Sequence, residues 1–300
     1  MAVDASRRSI LAASLCAAVA WLPLHRAIAQ PDNPETPLAR LAALQQQHGG
    51  RLGVAILVAD SGRRINHFGE QRFPMCSTFK FLAAAQVLAR VDRGEERLDR
   101  RVVYTRDDLV PYSPVTEQHV GAPGLTMAEL CHAAITVSDN TAGNLLLASS
   151  GGPEGLTVFA RSLGDSKTRL DRIEPELNEA TSGDPRDTTT PAAMLGNMRT
   201  LLLGDALSPA SRTQLGDWMV ATSTGRERLR AGLPADWRVG DKTSTSSNGV
   251  TNDIAIAWPP GRGPLLVAAY YAEASIPQQR RNALLAEVGR IAAGLVRARA

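Results

Sequence analysis

The chain has 300 residues, 44% of them hydrophobic and 21% charged, with a formal net charge of +3. That is the balance of an ordinary globular protein, long enough for one large domain or two modest ones with real cores. Residues 1–29 hold three arginines and one aspartate, so the chain beyond them carries only +1, which excludes the basic footprint of a nucleic-acid-binding protein.

Residues 1–29 read as an export signal of twin-arginine type: Arg7 and Arg8, an apolar run from Ile10 to Leu22, and Ala27-Ile28-Ala29 as a cleavage site before Gln30. The run is too short for a membrane span and stops at Pro23 and His25. The expected location is the periplasm. Gln30 to Thr36 is a polar lead-in. Leu38 to Gln47 has helical apolar spacing and ends at Gly49-Gly50. Arg51 to Asp60 and Arg64 to Phe68, joined by Ser61-Gly62, predict a hairpin. From Ser77 to about Ala221 the pattern is mostly helical, cut by Pro111, Pro114 and Pro123 and by a polar loop from Arg169 to Thr190. Strands return at Trp237 to Ser244, Asp253 to Trp258 and Leu265 to Tyr271, and Gln279 to Arg297 closes the chain as a helix. Strands from both ends should share one antiparallel sheet. The expected domains are therefore 1–29 as signal peptide, 30–75 with 222–300 as an α/β domain, and 76–221 as an all-α domain, with a cleft at their boundary.

Ser77-Thr78-Phe79-Lys80 carries the most chemistry. Residues three apart on a helix share a face, so Lys80 can reach the Ser77 hydroxyl, which is a weak nucleophile until a neighbour takes its proton. Three further strings follow: Ser138-Asp139-Asn140 after an apolar run, Glu174-Pro175-Glu176-Leu177-Asn178 inside the polar loop, and Asp241-Lys242-Thr243-Ser244-Thr245 on a late strand. Each alone reads as a cap, a solvated loop or a surface strand. The five histidines have no metal-ligand spacing, and neither a metal nor an organic cofactor is expected. Cys76 and Cys131 should be buried free thiols.

Together, in this order, the four strings resemble the class A β-lactamase signature. Tyr112-Ser113-Pro114-Val115-Thr116, Thr188-Thr189-Thr190-Pro191 and Asn252-Asp253 extend the likeness across the chain from about Leu38. The resemblance implies an α/β (α+β) fold: a five-stranded antiparallel sheet flanked by helices, an all-α domain, and an active site between them. It also implies catalytic roles for Ser77, Lys80, Ser138 and Glu174. Ser77 would be acylated, Lys80 and Glu174 are the candidate bases, Ser138 would relay a proton to the leaving nitrogen, and Glu174 with Asn178 would hold the deacylating water. Asn140, Asn178, Lys242, Thr243, Thr245, Arg228 and Tyr112 would bind substrate. The backbone N–H groups of Ser77 and Thr245 would form the oxyanion hole. The implied partner is a small β-lactam, the implied product is antibiotic resistance, and the implied state is a monomer without a membrane anchor after signal removal.

The resemblance implies an arginine from one of a few places: Gly249-Val250-Thr251-Asn252 supplies none, and Thr224-Gly225-Arg226-Glu227-Arg228 is similar to the alternative source, which makes Arg228 the match and Arg280 or Arg281 a weaker choice. The resemblance also implies that Arg172 and Asp187 pair and close the Glu174 loop, with the Glu174–Pro175 bond in cis. Ser244 departs from the family's usual glycine and is expected to face away from substrate. Ser246 excludes the cysteine pairing with Cys76 that some carbapenem-hydrolysing relatives have. The competing readings are a penicillin-binding DD-peptidase, which would lack the Glu174 and Asn178 water site, and a β-lactam sensor domain, which would stay acylated.

Overall fold

A computed structural model describes Met1 and residues 36–297. The export-signal reading and the lead-in at 30–35 lie outside the described residues. Within the described residues the order is α1 (Pro37–His48), β1 (Arg51–Val58), β2 (Arg64–His67), β3 (Phe73–Pro74), α2 (Phe79–Asp92), β4 (Arg101–Val102), β5 (Leu125–Thr126), α3 (Met127–Thr136), α4 (Asn140–Ala148) and α5 (Gly152–Ser162). It continues with β6 (Thr188–Thr189), α6 (Pro191–Leu202), α7 (Pro209–Val220), α8 (Leu229–Gly232), β7 (Arg238–Ser246), β8 (Val250–Trp258), β9 (Leu265–Ala272) and α9 (Gln278–Arg297).

Five strands form one antiparallel sheet in the order β2-β1-β9-β8-β7, so the first and last thirds of the described chain meet at the β1–β9 pair. Alternation along the strands sends side chains to two separate cores. On β9, Leu265, Val267, Ala269 and Tyr271 join Leu41 of α1 and Leu284, Leu285, Val288 and Ile291 of α9. Leu266, Ala268 and Tyr270 face the other way, into the core built around α2 and α3. The sheet is thus buried on both sides, and β7 is the edge strand that borders the helical part.

The α/β (α+β) fold expected from the resemblance is the fold observed. The region expected to be wholly helical also contains β4, β5 and β6. These pair only as two-residue ladders, β4 with β5 and β3 with β6. Such short pairings carry no periodic signal in the sequence, because a period of two needs four or more residues to show.

Within the helical core, α2 is buried on every side from Phe79 to Ala89. A helix apolar all round must lie inside the protein, and that fixes where its first turn points. Thr126 and Glu129 cap α3 reciprocally, and Asp139 caps α4 by accepting from the Ala142 N–H at 2.8 Å. Cys76 and Cys131 are both buried and free.

Candidate active site

Ser77 does not lie on α2 itself but in the 3₁₀ turn Cys76–Thr78 that leads into it. The correction is small and favours contact, because side chains at i and i+3 eclipse in a 3₁₀ turn. Lys80 Nζ stands 2.9 Å from Ser77 Oγ. Cys76 takes a left-handed φ of 42°, and Thr78 pins the turn by donating its hydroxyl to the Met75 carbonyl at 2.8 Å.

The Lys80 side chain has no solvent exposure. A buried ammonium costs several kcal/mol unless it is compensated, about the size of a protein's whole stability margin. Four oxygens surround it: Ser77 Oγ at 2.9 Å, the Ser138 carbonyl at 2.9 Å, Asn140 Oδ1 at 2.6 Å and Glu174 Oε1 at 2.9 Å. Burial pushes the Lys80 amine below its ordinary range, and the Glu174 carboxylate opposes that shift. The Ser77 hydroxyl lies 3.2 Å from Glu174 Oε1, so nucleophile, amine and carboxylate form one closed set.

Glu174 is fully buried and its other oxygen accepts from Asn178 Nδ2. Its backbone is gripped at both ends by one side chain: Asn144 Oδ1 accepts from the Glu174 N–H at 2.9 Å, and Asn144 Nδ2 donates to the Glu174 carbonyl at 2.8 Å. Sequence reasoning missed Asn144. The available signal was its place four residues after Asn140 on one helix, which puts both on one face. The Glu174–Pro175 bond is cis, as expected.

The loop carrying Glu174 is closed by Arg172, whose Nε lies 2.6 Å from Asp187 Oδ2. Asp187 Oδ1 also accepts from the backbone N–H groups of Asp171 and Arg172, at 2.8 and 2.9 Å. The same residue reaches the nucleophile's turn, since its carbonyl accepts from the Met75 N–H at 2.9 Å. Removing the Arg172 side chain leaves the buried Asp187 carboxylate with backbone N–H donors but without its cation, which loosens the loop. Arg172→Ala is expected to clear its acyl-enzyme about ten to a hundredfold more slowly, since a displacement of about 1 Å at the reacting groups can cost that much. Stopped-flow decay of the acyl-enzyme checks this; clearance at the wild-type rate would contradict it.

Ser138 sits at φ 62° in the turn before α4. The Asp139 carboxylate fixes that turn by accepting from the Val115 and Thr116 N–H groups, each at 2.9 Å. Asp139 thus both caps α4 and holds the turn that carries Ser138 and Asn140. Ser138 Oγ accepts from Lys242 Nζ at 3.0 Å, and Lys242 also donates to the Thr243 carbonyl at 2.7 Å. Burial, together with the nearby Lys80 charge, lowers the Lys242 amine well below its usual range.

A cleft of about 380 Å³ opens above these groups. Ser77, Tyr112, Ser138, Asn140, Asn178, Arg228, Thr243 and Thr245 are among the residues that line it. Lys80, Glu174 and Lys242 are fully buried and are not among its lining residues. Tyr112 is strongly exposed, and its carbonyl accepts from the Asn140 N–H at 3.0 Å. Arg228 Nη2 donates to Thr245 Oγ1 at 2.7 Å, which places the guanidinium at the cleft wall. Arg280 and Arg281 are not among the lining residues. Ser246 Oγ donates to the Asn178 carbonyl at 2.7 Å, tying β7 to the Glu174 loop where the cysteine alternative is absent.

Ser244 borders the cleft but turns its hydroxyl inward, where it accepts from Asn252 Nδ2 at 2.8 Å. That is the orientation expected from strand alternation. Sequence reasoning did not find the Asn252 contact, because it depends on the β7–β8 register, which sets Ser244 opposite Asn252.

On β8, Asp253 is fully buried, and its Oδ2 accepts from the Leu229 N–H at 3.1 Å. Burial and the Asp241 charge hold its carboxyl well above the usual range, although Arg228 and Arg230 act against the shift. A carboxyl raised on folding contributes stability that is full below its unfolded pKa and is lost as pH rises towards the folded one. Asp253→Asn lacks that loss, so its Tm relative to wild type is expected to rise between pH 5 and pH 8. A Tm difference that stays flat or falls over that interval would contradict this.

The fold and the closed Ser77, Lys80 and Glu174 set define a serine-dependent acyl-transfer enzyme. Comparison with known proteins places it more narrowly. The model of the family described as "Beta-lactamase enzyme family" matches residues 36–296. The chain is 47% identical over 295 residues to Beta-lactamase AST-1 of Nocardia asteroides, covering 96% of this chain and 95% of that one. It is 50% identical over 252 residues to Beta-lactamase FAR-1 of Nocardia farcinica, covering 84% and 80%. A solved structure of an ancestral (GNCA) class A β-lactamase superposes with a TM-score of 0.85 at 64% identity, covering 87% of this chain and all of the other. The chain belongs to the β-lactamase enzyme family, in class A.

Proposed function

We propose that this enzyme hydrolyses the β-lactam amide of penicillins and cephalosporins through an acyl-enzyme on Ser77, and so confers antibiotic resistance. The observation that carries the reading is the single amine, Lys80 Nζ, 2.9 Å from both Ser77 Oγ and Glu174 Oε1.

Ser77 Oγ attacks the lactam carbonyl carbon and its proton passes into the Lys80–Glu174 pair. The backbone N–H groups of Ser77 and Thr245 receive the developing oxyanion, a role commonly worth about 3 kcal/mol per donor. The carbonyl-carbon to nitrogen bond then breaks, and Ser138 passes a proton to the nitrogen while Lys242, 3.0 Å from its Oγ, supports the transfer. Asn178 and Glu174 hold a water and Glu174 takes its proton. The hydroxide adds to the ester, the carbon–Oγ bond breaks, and Ser77 regains its hydrogen as the ring-opened acid leaves.

Substrate carries a carboxylate, which Lys242, Thr243, Thr245 and Arg228 receive in this reading, while Asn140 binds the side-chain amide and Tyr112 contacts the substrate. Of the described residues, 36–75 with 222–297 make up one lobe in this reading and 76–221 the other, with the cleft at their boundary. The protein acts as a monomer in the periplasm once residues 1–29 are removed. No helix among the described residues is long and apolar enough to cross a membrane.

Peptide mapping after brief exposure to a slow β-lactam tests the assignment. An acyl adduct on the peptide bearing Ser77 supports it, and an adduct elsewhere or none at all overturns it. Steady-state kinetics on a penicillin, a cephalosporin and a carbapenem then define the substrate range.

A further inference from the structure

Ser244 and Asn252 face each other across the β7–β8 ladder and their side chains bond at 2.8 Å. Asn252 Nδ2 does not stop there. It also reaches the Pro74 carbonyl at 2.9 Å and the Met75 carbonyl at 3.3 Å. Those carbonyls belong to the two residues just before the strained Cys76 and the nucleophile. One amide with two hydrogens therefore serves three acceptors, one on the strand that precedes Thr245 and two on the segment that precedes Ser77.

Everything in this link is held tightly. Ser244 is 3% exposed and Asn252 is fully buried. Arg228 Nη1 clamps the same rung, donating to the Ser244 carbonyl at 2.7 Å and the Asn252 carbonyl at 2.8 Å. On the other side, the Met75 carbonyl accepts the Thr78 hydroxyl at 2.8 Å. Asn252 Oδ1 accepts from the Tyr271 N–H at 3.3 Å, so the amide cannot flip without losing that contact.

We propose that Ser244 is a positioning residue for acylation: its hydroxyl, through Asn252, sets the spacing between the Thr245 N–H and the Ser77 N–H. This rests on the assignment of those two groups as the oxyanion hole. Where the family usually carries glycine, no such cross-strand side-chain bond can form, so the coupling belongs to this chain. Since the two donors must both aim at one developing oxygen, their spacing governs the transition state more than the ground state.

The test is single-turnover kinetics with nitrocefin on the full chain, comparing wild type with Ser244→Ala and Ser244→Gly. Both substitutions remove the hydroxyl. The expected result for each is an acylation rate constant about tenfold lower, with substrate binding changed less than about twofold and deacylation unchanged. A hydroxyl that only fills space would lower Tm and leave that split untouched. In an Asn252→Ala background, Ser244→Ala should have no further effect on acylation, because its partner is already gone. Wild-type acylation in Ser244→Ala overturns the proposal, as do independent, additive effects of the two substitutions. If Asn252→Ala fails to fold, the two Ser244 variants decide alone. Failure of the underlying reading would look different: wild type itself would form no acyl-enzyme at Ser77.

Discussion

Replacing Ser77 with alanine is expected to lower β-lactam turnover by about 10⁴-fold or more, the scale on which loss of a serine nucleophile acts. The substitution removes one oxygen and leaves the rest of the set in place. Lys80 keeps the Ser138 carbonyl, Asn140 and Glu174 as partners, at 2.9, 2.6 and 2.9 Å. The fold should therefore survive, with a cooperative thermal transition and unchanged circular dichroism, while intact mass after substrate exposure shows no adduct. Residual turnover within a hundredfold of wild type would mean that another group attacks the lactam.

The second large effect separates the two half-reactions. Glu174→Gln is expected to acylate and then stall, with turnover lower by about 10³-fold, within the range for loss of a general base. The reason is electrostatic. Burial already lowers the Lys80 amine, and the Glu174 charge is the largest effect opposing that shift, ahead of its hydrogen bond and the Asp139 and Cys76 charges. Without the charge Lys80 is more readily neutral, and it still stands 2.9 Å from Ser77 Oγ. It can take the serine proton, but nothing remains beside Asn178 to deprotonate the water. Intact mass should show one substrate mass added to nearly every molecule for minutes. A variant that accumulates no adduct while turnover is lost would assign Glu174 to acylation instead.

Much of this was legible in the residues. The hairpin at β1–β2 and the late strands follow from apolar runs bounded by turn residues, and the terminal helix follows from its helical periodicity. The four strings around Ser77, Ser138, Glu174 and Lys242 named the groups that now meet, because their chemistry is carried by residue type and order. What was not legible depends on register and on contacts between distant segments. The Asn144 grip on Glu174 needs the loop folded against α4, thirty residues away in sequence. The bridge from Ser244 to Pro74 and Met75 needs the β7–β8 register together with the docking of the Ser77 turn on it. The 3₁₀ geometry at Ser77 was read as plain helix because the spacing of Ser77 and Lys80 suits both.

The account's central claim is that the Ser77 acyl-enzyme is made and then cleared by water. Nitrocefin conversion by purified protein, followed past one equivalent per enzyme molecule, tests it most directly. The account predicts a steady rate through many hundreds of turnovers. A burst of one equivalent followed by silence would contradict it, and would make the protein one that is acylated by β-lactams rather than one that destroys them.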